Sequence, residues 1–429
     1  MAVDTRIIAV VLILVIIAGI GLYMTRGGEE APSAPAQEEA GTGGAQQGGQ
    51  QEQATGGEQA AGEDKVKVLV LFDVGGRGDL SFNDMAYLGA ERAMEELGVE
   101  VDFQTPPSID VMPQLLESVS AEGEYDLIVL VGFLWQAPLS KVAPNYPDQK
   151  YALIDSALEG DYPNVASYVF REQEVASLIG VLAADIAKNL GSDKAGAVAG
   201  MSIPPLWRFH VGYLYGIQYY NQETGSNVEL VWTYTGKFDD PVKGKEVTQQ
   251  MIQQGVRVFY GLAGLTHLGM FDAVREAAQQ GIEAIAIGQD ASQEWYDPYH
   301  IIVSGMKRVD NAVYYAIKSV VDGTFTPGVN SLGLKEGGLG ISDEEIVRWF
   351  AEQAAEQGRL QGMTPDEVVQ IVMQQREKYI SDTAWQIVGE LEQKIKNGEI
   401  TFVSPASAEE YDSIIQELQQ GNLDAALSR

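Results

Sequence analysis

From Lys65 onward, short and nearly continuous apolar runs alternate with amphipathic stretches, and this alternation restricts the fold more than any other feature. The runs lie near Val66–Val74, Val99–Phe103, Leu127–Phe133, Tyr151–Ile154 and Val165–Phe170, then Gly196–Met201, Val228–Tyr234, Val256–Leu262, Ala284–Gln289 and Ile301–Ser304. Helical stretches such as Phe82–Leu97, Glu174–Leu190 and Leu206–Asn221 separate them. Strands that are apolar on both faces must be covered on both faces, as in parallel sheets wrapped by crossover helices. About ten strands are more than one compact sheet of ordinary size holds. Two α/β lobes are therefore expected, one from Lys65 and one from near Glu172. Open parallel sheets bind ligands beyond the carboxyl ends of their strands. Two such lobes face to face make the cleft between them the expected site.

Composition removes several classes of function. Lys and Arg number 28 against 61 Asp and Glu, a net charge of −33. That sign argues against a nucleic-acid backbone and against docking on anionic lipid. With no cysteine, disulfides, thiolate metal sites and Cys nucleophiles are excluded. The three histidines, His210, His267 and His300, are scattered, so neither a metal centre nor a cofactor is expected.

The amino terminus reads as a membrane attachment. Residues 7–24 are uncharged and mostly apolar, between Arg6 and Arg26. At about 1.5 Å per residue they reach about 27 Å, enough to cross a bilayer core. Residues 1–26 are therefore expected to be an anchor or signal segment. Residues 27–64, rich in Gly, Gln, Ala and Glu, form an expected disordered acidic linker, spanning roughly 35 Å as a flexible coil.

The end of the first expected strand is the most informative loop: Asp73-Val74-Gly75-Gly76-Arg77-Gly78-Asp79-Leu80-Ser81-Phe82-Asn83. Its glycines permit close backbone approach to a ligand. Ser81 is the expected N-cap of the following helix, with Asp84 three residues on. As a dinucleotide fingerprint the loop fails, because Ser81 stands where a third glycine belongs.

These residues resemble the basic membrane protein family of ABC-transporter substrate-binding lipoproteins, of the purine nucleoside receptor type. Further segments resemble that family in order: Gly132-Phe133, Tyr146-Pro147-Asp148, Tyr151-Ala152-Leu153-Ile154-Asp155, Glu174 to Ala184, Arg208-Phe209 with Gly212 and Gly216, Gly288-Gln289-Asp290, and Ser304-Gly305-Met306-Lys307. The resemblance covers about 66–340 and 384–403. It departs at Ala263-Gly264-Leu265-Thr266-His267, in having Tyr260 where Phe is common, and in lacking a lipid-bearing cysteine.

The resemblance implies a two-lobed periplasmic-binding-protein type I fold at 65–341, with a hinge between two doubly wound parallel sheets. Lobe 1 would take 65–171 plus a C-terminal return, and lobe 2 would take 172–292. It implies that Asp73 binds a purine base, that Phe82 and Tyr260 sandwich it, and that Asp290 and Lys307 handle the ribose. Asn83 and Trp135, in matching loops, complete the candidate set; Asp155 and Arg208 are assigned structural roles. Each also has a plain reading: Asp73 as a loop cap, Phe82 and Tyr260 as core residues, Asp290 and Lys307 as an ion pair. The implied function is an extracytoplasmic binding protein, anchored in the cell membrane, that hands a neutral nucleoside such as guanosine or inosine to ABC permease subunits. No catalytic residue is expected, since no calcium-type aspartate spacing or acid/base pair is evident. The alternatives are a ligand-sensing binding protein with another small ligand and, more remotely, a nucleoside-processing enzyme using the same cleft. Helix-start signatures at Ser342-Asp343-Glu344-Glu345 and Thr364-Pro365-Asp366-Glu367 predict an inserted helical pair over 342–383, and 384–429 is expected to be helical.

Overall fold

The first strand explains why its sheet is covered on both faces. In β1 (Lys67–Leu71) and the residue after it, Val68, Val70 and Phe72 enter one apolar core while Leu69 and Leu71 enter the opposite one. The structure, a computed structural model, describes residues 65–360 and 362–428. β2 (Glu100–Gln104), β3 (Leu127–Val131), β4 (Lys150–Ile154) and β5 (Val165–Phe170) continue the first sheet. β6 (Lys194–Ala199), β7 (Glu229–Tyr234), β8 (Val258–Leu262), β9 (Ile285–Asp290) and β10 (Ile301–Lys307) form the second. Two late strands, β11 (Gly328–Leu332) and β12 (Leu339–Ile341), add an edge to each.

Strand order is β11-β5-β4-β3-β1-β2 in lobe 1 and β12-β10-β9-β8-β6-β7 in lobe 2. Only β12 runs antiparallel to its neighbour. In each lobe the order reverses beside the first strand, between β1 and β3 and between β6 and β8. A reversal sends the crossover helices to opposite faces and leaves a crevice at the strands' carboxyl ends.

The chain crosses between lobes at Arg171, at Arg308 and between β11 and β12. The expected lobe boundary at 292 needs correction. β10 stays in the second sheet, parallel to β9, and the return to lobe 1 consists of the helix Val309–Val321 and β11. β11 was invisible to periodicity because it is an exposed polar edge, and β12 because it has only three residues.

The glycines of the lobe 2 helices Glu172–Asn189 and Pro204–Thr224 have a packing reason. A Cβ on Gly216 would lie 1.9 Å from the Ser177 carbonyl, and one on Gly180 would lie 2.3 Å from that of Tyr213. Bare backbones let the two helices touch.

Residues 342–383 contain the helices Glu344–Glu356 and Pro365–Tyr379, both resting on lobe 2. Asp343, not Ser342, caps the first, its carboxylate accepting from the Ile346 N–H at 2.8 Å. Thr364 and Glu367 form a full capping box on the second. The helices Asp382–Lys396 and Ala408–Gln419 also pack on lobe 2. The expected anchor at 1–26 and linker at 27–64 lie outside the described residues. Among those described, no helix is long and apolar enough to cross a membrane.

Candidate functional site

The crevices of the two lobes meet in a cleft of about 650 Å³, its open mouth included. Asp73, Phe82, Asn83, Asp290 and Lys307 all line it, although Asp73 and Lys307 are far apart in the chain. Trp135 and Tyr260 do not. The Trp135 indole is buried in the lobe 1 core and donates to the Phe72 carbonyl at 3.1 Å. Tyr260, inside β8, packs against Phe209 and Tyr213 and gives its hydroxyl to Gln289. Strand alternation turns the Tyr260 ring inward, and the helical turn after β3 does the same for Trp135. Aromatic surface toward the cleft comes instead from Phe82, Phe133, Phe209 and Phe238.

The first loop is braced by its own carboxylates. Asp73 Oδ1 accepts from the Gly75 N–H and the Asn83 side-chain amide, both at 2.8 Å. Its Oδ2 has no hydrogen-bond partner among the described residues and lies near Gly132, whose φ of 110° lets the β3 end approach Asp73 and Phe82. Burial pushes the Asp73 carboxyl up from its usual range, against the Asn83 and Gly75 bonds. Ser81 does not cap its helix. Asp79 does so, accepting from the N–H groups of Ser81, Asn83 and Asp84 at 3.0, 2.9 and 3.2 Å. Two carboxyl oxygens can take three N–H donors, which one hydroxyl oxygen cannot, and burial with the neighbouring Asp84 raises Asp79 to about 7. Ser81 Oγ is thereby released to lobe 2, where it donates to the Gln289 carbonyl at 2.9 Å and Asp290 Oδ2 at 2.7 Å.

Lys307 is 1% exposed, and its ammonium is already paired. It donates to Asp155 at 2.6 Å and to Glu172 at 2.8 Å, and Glu172 also holds Arg208. Burial pushes the Glu172 carboxyl up, but Arg208 and Lys307 outweigh it and hold the group at about 2. Burial and the Glu172 carboxylate raise Asp155 to about 8, against the pull of Lys307. Asp155 thus belongs to the cleft lining as well as to the scaffold. Asp155 and Phe238 follow the carboxyl ends of β4 and β7, and that rule of position could have found them in the sequence. Phe209, within the Arg208-Phe209 pair, carried no such mark.

Three non-glycine residues among those described have positive φ: Leu80 at 54°, Asp155 at 68° and Asp290 at 72°. Two of them line the cleft, and the third belongs to its first loop. Left-handed backbone costs a branched or charged residue about 1–3 kcal/mol and gathers where the surroundings over-determine a loop.

His267 turns inward from the cleft rim, its Nδ1 accepting from the Ala263 N–H at 3.2 Å. Burial lowers both His267 and His210 from 6.5 to about 3. Each takes up a proton on unfolding between those pH values, so stability falls as the pH drops through that window. The slope is about 1.4 kcal/mol per pH unit per histidine. Denaturant melts at pH 6.5 and 5 should show His267→Gln losing about 2 kcal/mol less than the parent over that interval. Equal losses would mean that His267 is charged in the fold.

A family model described as ABC transporter substrate-binding protein PnrA-like matches residues 66–362. A solute-binding protein of an ABC transporter system from Aeropyrum pernix K1 has a crystal structure that resembles this one with a TM-score of 0.84. It is 68% identical, and the match covers 85% of this chain and 100% of that one. An uncharacterized lipoprotein of Pyrococcus horikoshii is 60% identical over 365 residues, 85% of this chain and 90% of its own. The ABC transporter nucleoside-binding protein BmpA of Lactococcus lactis is 29% identical over 294 residues, 64% of this chain and 81% of its own.

Proposed function

This chain belongs to the family of PnrA-like ABC-transporter substrate-binding proteins, and from that premise we propose that its cleft captures a neutral purine nucleoside, guanosine or inosine, for an ABC permease. The family consists of solute-binding proteins, not enzymes. The single observation that carries the nucleoside reading is the unpartnered Asp73 Oδ2 at the cleft wall. An ionised carboxylate only accepts, so it suits the N1–H of a 6-oxopurine and the 2-amino group of guanine. Adenine presents a lone pair at N1 and would oppose it.

Charge supports a ligand without phosphate. Asp73, Asp79, Asp155 and Asp290 line the cleft, and among the described residues its one lining cation, Lys307, is occupied by Asp155 and Glu172. Stacking on an aromatic face contributes about 1–3 kcal/mol per base. We assign that role to Phe82 of lobe 1 with Phe209 and Phe238 of lobe 2, in place of Tyr260. Asp290 is assigned to the ribose hydroxyls, with Lys307 holding the carboxylates around it. Asn83 acts by fixing Asp73. We also assign attachment, with the lobes outside the cytoplasm, to residues 7–24, because a chain without cysteine carries no lipid-bearing thiol.

Asp73→Asn replaces one acceptor by a donor. A charge-assisted hydrogen bond is worth about 1.5–3 kcal/mol, so guanosine and inosine should bind at least about tenfold more weakly. Adenosine, which accepts at N1, should lose far less or gain. Calorimetric titration of the 65–429 chain, freed of co-purified ligand, reads this directly. Equal losses for all three would reduce Asp73 to a loop brace. No binding of any nucleoside by the parent would discard the assignment, and mass spectrometry of the molecule released on denaturation would then name the true ligand.

A further inference from the structure

We infer that the inserted helix Glu344–Glu356 is a socket for Leu80 and that this knob positions the ligand loop Asp73–Asn83 in the closed cleft. Leu80 has left-handed backbone yet is 5% exposed. Its side chain leaves its own lobe and joins an apolar cluster with Trp295, Val347, Ala351, Ala354 and Leu360, all carried by lobe 2 and the insertion. Its carbonyl accepts from the Gln293 side-chain amide at 3.0 Å, also across the lobes. The next residue, Ser81, makes the two bonds to Gln289 and Asp290. Two consecutive residues, Leu80 and Ser81, therefore make four interlobe attachments immediately before Phe82 and Asn83. Within lobe 1 the Leu80 N–H donates to Asp84 at 3.0 Å, so the left-handed residue is held from both sides. Parting the lobes removes its side-chain and carbonyl contacts and leaves the strain less supported.

The socket moves with lobe 2. Arg376, on the second inserted helix, donates to the Ile302 carbonyl of β10 at 2.6 Å and to Glu294 at 3.1 Å, both buried. The seam in front of the socket is loosely filled. A groove of about 550 Å³, its open mouth included, runs between the first helix of lobe 1 and the insertion, with Leu80, Met85, Trp295 and Phe350 on its walls beside Arg77, Glu91 and Arg359. A groove open to water adds few apolar contacts across the seam. Among the described residues, Leu80 is the one residue of lobe 1 in the apolar cluster of the insertion. The ligand does not touch the socket; the insertion acts on affinity through the closed population, because apparent affinity scales with the fraction of binding-competent molecules.

The chain has no cysteine, so paired spin labels at Ile109→Cys in lobe 1 and Val242→Cys in lobe 2 report the interlobe distance without background. The distance distribution is measured without nucleoside and with saturating inosine, in the parent, Leu80→Gly and Phe350→Ala. Leu80→Gly removes the knob and the backbone strain together, and Phe350→Ala opens the socket from the insertion side. Both should lower the closed fraction at least about threefold, and inosine affinity should weaken in the same proportion. Ala355→Ser, on the exposed face of the same helix and outside the grooves that flank it, should change neither. Closed fractions equal to the parent in both folded variants overturn the proposal. If Leu80→Gly does not fold, Phe350→Ala decides it alone. The affinity arm rests on the nucleoside reading and the distance arm does not: a parent that ignores inosine sinks the former, and the ligand-free distances still settle the latter.

Discussion

Glu172→Gln should remove about 3–5 kcal/mol of folding stability, the usual loss when one member of a buried charge set is deleted. Glu172 is 0% exposed and sits between Arg208 and Lys307. Without its charge, two buried cations share Asp155 alone, and Asp155 is itself held up at about 8 by burial and Glu172. The pH dependence follows from the sign of the shift. Glu172 titrates at about 2 in the fold against 4.5 when free. A carboxyl lowered by folding contributes stability that is present above the free value and is lost as the pH falls toward the folded value. The parent should therefore lose stability between about pH 4.5 and 2 through this group, and the variant should lack that component. Denaturant melts across this range test it. A loss under about 1 kcal/mol at neutral pH would mean that water or a rearranged Asp155 replaces the missing charge.

Arg376→Met should cost a similar amount, about 3–5 kcal/mol, for a different reason. Glu294 is 0% exposed and accepts from Ser292 at 2.6 Å and Ser304 at 2.9 Å as well as from Arg376 and Ser342. Removing Arg376 strands that carboxylate in the core and also frees the Ile302 carbonyl. The double variant Arg376→Met with Glu294→Gln should recover at least half of the loss, since a neutral amide needs no countercharge. No recovery would place the cost in the lost packing of the arginine stem. Limited proteolysis adds a second reading: in Arg376→Met, cleavage should appear within 342–383 before it appears elsewhere, because the guanidinium is what ties that helix to β10.

The sequence carried the layered architecture because parallel strands buried on both faces leave a signal in every apolar run, and β1 with its alternating cores is such a strand. Where burial is one-sided or absent the signal vanishes, as in the exposed edge β11. The glycines at 180, 212 and 216 were visible as a pattern, but only the packed helices explain them as positions where backbone meets backbone. Among the candidate residues, Asp73 was legible because it follows the first strand, and the ends of parallel strands converge. Phe82, Asn83, Asp290 and Lys307 were reached through the family resemblance, and the structure brings them to the same cleft. Tyr260 also lies in a strand, yet its place in the pleat turns the ring toward Phe209 and away from the cleft. Trp135 was read from its loop, and loop position alone says nothing of which way an indole faces.

By itself, then, the sequence determined the two-lobed α/β division, the place where the lobes' strand ends meet and the strong acidic balance of the chain, because these follow from periodicity and charge along the chain. Only the tertiary structure decided that Lys307 is spent on Asp155 and Glu172, that β10 remains in lobe 2, that Asp79 caps in place of Ser81, and that Leu80 crosses to the inserted helix. Each of these depends on which partner, distant in sequence, arrives within hydrogen-bond or van der Waals reach. That competition is settled by burial and geometry, and neither is written in local order.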